Sequence, residues 1–270
     1  MFGRRKIATL VAEFLGTGVL TLLVLSVQRS TIGVPFFVAL AAGLAVALLY
    51  FAVGNVSGGH FNPALTIGVW TARKMATAQA ILYVAVQLLG AWGAYWLYTY
   101  YAKSTLQPIG GKFNYHVLVA EGVGTAIFAF GYAAALYQGF STAVRASVSG
   151  IAYIVGVVAA SAAAIGLINP ALALGVRAWV WGSYVLGPVI GAVVGVQLYK
   201  LLFDGMNDSA PALVPVAAAS TIRTSSTGET IETTTVVARR KPRKAVASKT
   251  TAARKTTARK SATKGASRAR

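Results

Sequence analysis

Six long apolar stretches decide most of what this chain can become. They run at roughly 6–28, 33–54, 76–101, 116–138, 144–165 and 181–203, and each reaches the ~20 residues that a helix needs to cross a hydrocarbon layer ~30 Å thick. Lipid offers no partners to backbone N–H and C=O groups, so a segment placed there must satisfy them internally, as a helix does. The chain is therefore read as an all-α membrane protein with six transmembrane helices. Only 11% of its residues are charged and its mean hydropathy is +0.64, outside the range of an ordinary soluble domain of this length. The first stretch is read as a span rather than a cleaved leader, because its apolar run is too long and contains Glu13.

Between spans two and three, and again between spans five and six, lies a shorter apolar piece of about ten residues that opens on Asn-Pro-Ala-Leu, first at Asn62 and then at Asn169. Such pieces are too short to cross. Irregular backbone at membrane depth is tolerated only where protein or a watery cavity satisfies it, so both read as re-entrant half-helices. The tetrapeptides are 107 residues apart, and "AEFLGT" at residues 12–17 recurs as "AEGVGT" at 120–125, 108 residues later. The halves, about 6–101 and 116–203, are thus repeats. Three spans per half is an odd number, so the repeats lie in opposite orientations and the two half-helices enter from opposite faces and meet near the midplane.

Charge separates two regions. Up to Phe203 there are eleven Lys/Arg against two acids, and from Asp204 onward fourteen against four. Residues 1–203 are read as a channel-like domain and 204–270 as a disordered Lys/Arg/Ala/Thr-rich tail: thirteen basic residues and no acid follow from Arg239, with almost nothing bulky to bury. In the six-span arrangement Arg4, Arg5, Lys6, Arg73, Lys74, Arg145, Lys200 and the tail fall on one side, against Arg29, Lys103, Lys112 and Arg177 on the other. The excess puts both termini in the cytoplasm of a multi-pass protein of the cell (plasma or inner) membrane.

There is no cysteine, and the only histidines are His60 and His116. Disulfides, thiolate metal sites and thiol nucleophiles are excluded; no metal, no cofactor and no catalytic residue is expected. What remains is polarity at the half-helix tips. Pro63 and Pro170 suit the first position of a helix, with Asn62 and Asn169 as N-caps and Ala64 and Ala171 following. Opposed helix N-termini form an electropositive belt that water crosses by turning its oxygen toward the donors, while a cation is repelled. Glu13 and Glu121, the only acids before residue 204, sit at matching repeat positions. An intramembrane carboxylate suggests a proton relay, but the pairing favours a buried structural role, accepting hydrogen bonds from the re-entrant backbone of its own half. Two roles stay open for His60: lining the inner half of a pore, or bonding the loop.

On "AEFLGT", "SGGHFNPALTIG", "QLLGA" from Gln87, "AEGVGT", "INPA" with Gly175, and "GPVIGA" in the last span, the chain resembles the aquaporin (major intrinsic protein) family over about residues 6–203. The resemblance implies an aquaporin-like bundle of six helices and two half-helices, a pore in each subunit of a homotetramer, and passive passage of water or small neutral solutes through the lipid bilayer. It also implies a constriction which, aligned without gaps from each asparagine, falls on Ala42, Val157, Gly166 and Leu172. The family usually has arginine where Leu172 stands, and water-selective relatives carry aromatic and histidine side chains at the first two positions. Arg177, five residues beyond Leu172, is on another face of the half-helix. A ring without fixed charge, wide or apolar, is the expectation, admitting small neutral solutes as well as water. For the tail, anionic lipid ranks ahead of nucleic acid as a partner, and a membrane anchor whose purpose is that tail is the rival reading of the whole chain.

Overall fold

The computed structural model describes residues 3–30, 34–205, 220–224 and 230–234. The chain divides into two units, 1–211 and 212–270. In the first, eight helices follow in order: α1 (Arg4–Arg29), α2 (Pro35–Ser57), α3 (Pro63–Thr71), α4 (Thr77–Ala102), α5 (Tyr115–Tyr137), α6 (Thr142–Ala160), α7 (Pro170–Gly175) and α8 (Gly187–Phe203), the last preceded by a π-helical turn, Gly182–Leu186. Six of these segments, counting the π turn with α8, are long and apolar enough to cross a membrane. Large apolar side chains such as Leu44, Leu48, Ile81, Trp96, Ile151 and Leu201 remain exposed on their outer faces, as lipid-facing surface requires.

Each repeat contributes three long helices and one short one, and the packing follows the repeat. The first helix of each half packs on the last (α1 on α4, α5 on α8), and α2 and α6 pack on each other between the halves. The short helices cross over: α3 lies against α8 of the second half, α7 against α4 of the first. Small residues make these contacts possible. A Cβ on Gly43 of α2 would stand 2.6 Å from the carbonyl of Gly150 on α6, and one on Gly150 would stand 2.5 Å from the carbonyl of Gly43. At the α5–α8 crossing a Cβ on Gly191 would run into the Gly122 backbone. Backbone contact of this kind is how helices associate where burial from water gives no help.

Two features differ from the apolar pattern. The fifth stretch, expected to remain helical to residue 165, leaves the helix at Ala160: the hydroxyl of Ser161 bonds the Val157 carbonyl at 2.8 Å, and the chain turns at Gly166 with φ +70°. Residues 161–165 form a turn that is at most half-buried, and three alanines and Ile165 carry the apolar character through it. The π turn before α8 has its cause in Pro188, which has no N–H to give the carbonyl four residues back.

In the second unit, Ser220–Thr224 pairs antiparallel with Thr230–Thr234, with Ser220 opposite Thr234. Threonine and isoleucine favour strands, so this part of the tail departs from the expectation of disorder. The basic segment from Arg239 onward lies outside the described residues.

Candidate functional site

The two half-helices begin alike. Asn62 is extended, with φ −155°, and its Oδ1 accepts from Ala64 N at 2.8 Å and Leu65 N at 3.3 Å; Asn169 has φ −151° and accepts from Ala171 N at 3.0 Å. Pro63 and Pro170 occupy the first helical position, where a missing N–H has no consequence. Each asparagine then reaches across. Asn62 Nδ2 donates to the Ile168 carbonyl at 2.9 Å, and Asn169 Nδ2 donates to the Phe61 carbonyl at 2.9 Å. The helix tips therefore meet, each tied to the residue before the other's cap. A carboxamide has two N–H bonds, so each retains one more.

The residues before the caps make that crossing possible. Phe61 and Ile168 have φ of 47° and 45°, a left-handed conformation unfavourable for a bulky or β-branched side chain. What holds them is carboxylate. Glu13, fully buried, accepts His60 N at 3.0 Å on Oε1 and Phe61 N at 2.7 Å on Oε2; Glu121, equally buried, accepts Leu167 N at 3.0 Å and Ile168 N at 2.6 Å. Each acid takes two consecutive amides of its own repeat's re-entrant loop, leaving the next carbonyl to face the opposite half.

The four constriction positions are all buried, Ala42 1% exposed, Val157 2% and Leu172 1%. Val157 and Gly166 are neighbours: a Cβ on Gly166 would stand 3.1 Å from Val157 Cγ1 and 2.8 Å from Ser161 Oγ. Leu172 lies in the first turn of α7. Arg177 is held elsewhere, its Nη1 donating to the Leu106 carbonyl at 2.5 Å and its guanidinium lying 4.8 Å over the Trp179 ring. Its own carbonyl accepts from Ile109 N at 2.8 Å, so the residue pins the 103–114 loop to the chain after α7.

His60 is set between the rings of Tyr83 and Tyr132, each with its centroid 5.6 Å away and steeply inclined. The hydroxyls of these tyrosines donate to the carbonyls of Ser57 at 2.8 Å and Gly58 at 2.7 Å. Thr66 and Gln87 complete the surroundings, Gln87 Nε2 donating to Glu13 Oε2 at 2.8 Å and to Thr66 Oγ1 at 3.0 Å. The sequence reading did not assemble this group. Its one visible trace was a glutamine in the middle of an apolar span. Among the described residues no three His, Cys, Asp or Glu side chains come together as a metal site.

Known proteins resemble this chain in sequence and in fold. The model of the family described as major intrinsic protein matches residues 4–199. Aquaporin AqpM of Methanothermobacter thermautotrophicus is 32% identical over 61% of this chain and 76% of its own length, and aquaporin Z of Photorhabdus laumondii 31% identical over 72% and 96%. The X-ray structure of the aquaglyceroporin from Plasmodium falciparum superposes with a TM-score of 0.63 over 76% of this chain and all of that one, at 21% identity, a likeness of fold.

Proposed function

This chain belongs to the major intrinsic protein family, and on that footing we propose that it is a passive channel for water and other small neutral solutes, whose outer constriction carries no fixed charge. The observation that carries the reading is the crossed pair of bonds from Asn62 to Ile168 and from Asn169 to Phe61. Two helix N-termini held tip to tip present partial positive charge, up to about half a unit each, and the remaining amide N–H of each asparagine is a donor for a passing oxygen. Water and neutral solutes exchange hydrogen bonds there; a proton or metal ion meets like charge without a replacement hydration shell.

At the outer end Ala42, Val157, Gly166 and Leu172 supply no donor or acceptor side chain and no cation. Their burial supports a narrow apolar sleeve in place of a wide ring. Such a sleeve discriminates by size, and leaves the midplane as the main barrier to cations. We assign the working form as a homotetramer of such channels with both termini cytoplasmic. Swelling of proteoliposomes in water and glycerol gradients, with a proton-sensitive dye inside, tests the proposal: water and glycerol flux without rapid acidification is expected, and strict water selectivity would remove the broader solute range.

The anchor reading draws on a different feature, the thirteen Lys/Arg from Arg239 onward. Basic residues near a membrane surface gain ~1 kcal/mol each from anionic lipid, so we assign the tail to the inner leaflet in preference to nucleic acid. The two readings separate in a chain ending at Phe203: flux retained favours the channel, whereas a sealed body favours the anchor.

A further inference from the structure

Helices α1 and α4 lie side by side with their N-termini at the same end, and they touch closely away from that end. A Cβ on Gly90 would run into the Phe14 carbonyl, and one on Gly18 would stand 3.3 Å from the Gly90 carbonyl. Toward the N-termini the helices part around a cavity of about 550 Å³. Arg5, Lys6 and Gln79 stand exposed at its mouth, and half-buried Leu10 and Leu82 line its depth. Thr9 and Gln79 also face the Tyr83 hydroxyl, which is fixed on the Ser57 carbonyl at 2.8 Å, so the cavity is walled by the packed body. Its charge is unbalanced. Neither N-cap, Gly3 or Ala76, offers a side chain to the free amides, and neither first turn holds an acid. Both helix dipoles therefore add positive potential to that of Arg5 and Lys6. The only acid on either helix, Glu13, is fully buried and bonded to the re-entrant loop, and Glu121, the only other acid before residue 204, is spent in the same way.

We infer that this wedge binds one anionic phospholipid of the leaflet that faces the N-terminus, with its phosphate at Arg5, Lys6 and the Gln79 amide and an acyl chain along Leu10 and Leu82. The occupant must combine a charged end with an apolar body, because the mouth is basic while the depth lies within two segments long and apolar enough to span a bilayer. Guanidinium and ammonium groups give phosphate oxygens charge-assisted bonds, and the Gln79 amide adds neutral donors. A free anion would satisfy the mouth and leave Leu10 and Leu82 against water. A zwitterionic lipid would bring a cation of its own to a site that is already positive. The chain's own tail is no candidate, because from Asp204 onward it carries fourteen basic residues against four acidic ones, and like charges repel. The lipid thus supplies the counter-ion that α1 and α4 lack and eases the repulsion between two parallel helix N-termini. The site is separate from the basic tail and independent of what the protein conducts.

The sequence has no cysteine, so Ala78→Cys, at an exposed position lining the wedge, places a single trifluoromethyl label there in the full chain. In a neutral detergent, phosphatidylglycerol is expected to shift its ¹⁹F resonance saturably, whereas phosphatidylcholine and inorganic phosphate at the same concentration leave it in place. Arg5→Gln with Lys6→Gln should weaken the phosphatidylglycerol response roughly thirtyfold, the scale of two basic residues beside anionic lipid. The exchanged pair, Arg5→Lys with Lys6→Arg, should retain the response and show that the fold tolerates substitution there. Arg254→Gln with Lys255→Gln removes the same charge from the tail and should leave the response unaltered. An equal response to phosphatidylcholine overturns the inference, as does an equal response to phosphate, which would mean a free-anion site. It is overturned too by no response to phosphatidylglycerol, by one indifferent to Arg5→Gln with Lys6→Gln, or by one lost equally in the tail pair.

Discussion

The side chain of Asn169 donates to the backbone carbonyl of Phe61 across the midplane at 2.9 Å, while its own oxygen caps α7 at Ala171 N, 3.0 Å away. One carboxamide thus starts a helix and ties the halves together, which no other side chain of that length does. Aspartate keeps the cap but turns the donor into an acceptor facing a carbonyl. Asn169→Asp is expected to lose ~1–3 kcal/mol through the buried, unsatisfied Phe61 oxygen, seen as a lower unfolding midpoint in detergent. An unchanged midpoint would show the crossed bond to be dispensable.

Glu13 and Glu121 hold equivalent loops with different partners. Glu13 accepts two backbone amides and Gln87 Nε2, whereas Glu121 accepts the backbone amides of Leu167 and Ile168 and is also faced by that of Gly166. Replacement by glutamine puts an NH₂ group against a backbone N–H in either case and removes charge-assisted bonds worth ~1.5–3 kcal/mol each. Glu13→Gln and Glu121→Gln should therefore destabilise by similar amounts. Denaturation of both variants in one detergent checks this; a markedly smaller loss in Glu121→Gln would mean that the Gly166 amide contributes nothing.

Glycines on α4 and α8 make opposite predictions. A Cβ on Gly191 collides with the Gly122 backbone, while one on Gly93, exposed on α4, meets nothing within 4 Å. Gly93→Ala should leave stability unchanged or raise it by up to ~1 kcal/mol through helix propensity. Gly191→Ala must push α8 away from α5, and a loss of ~1–3 kcal/mol is expected, as for overpacking in a core. Thermal unfolding of the two variants decides; equal behaviour would show that the crossing is not backbone-close.

Much of this arrangement was legible in the residues. Paired Asn-Pro-Ala-Leu and the paired Ala-Glu segments placed both half-helices, and Glu13 on α1 and Glu121 on α5 bond the re-entrant loop of their own half. The end of α6 was not legible, because residues 161–165 are mostly apolar whether they continue the helix or turn out of it, and the amides that follow are satisfied by Glu121 from 46 residues away. The π turn needed the knowledge that the helix continues on both sides of Pro188. The group around His60 draws on α1, α3, α4 and α5, and separations of 21 to 74 residues leave no local pattern. Arg177 could be excluded from the constriction by its spacing, but its anchoring of the 103–114 loop shows only in three dimensions.

Leu172 is the position at which charge can be returned to the outer end. It is 1% exposed and lies in the first turn of α7, while Arg177 is committed to Leu106 and Trp179. A guanidinium in place of Leu172 repels a cation by ~3 kcal/mol at about 5 Å in surroundings of effective dielectric ~20, equivalent to roughly a hundredfold in rate. Leu172→Arg should therefore reduce any proton leak by about that factor, and slow glycerol more than water because the longer side chain narrows the sleeve. Dye-loaded proteoliposomes with a clamped potential read the leak, and light scattering reads the solutes. If the leak is already absent in the parent chain and glycerol flux is unaltered in the variant, the midplane donors alone exclude cations and the outer ring selects nothing.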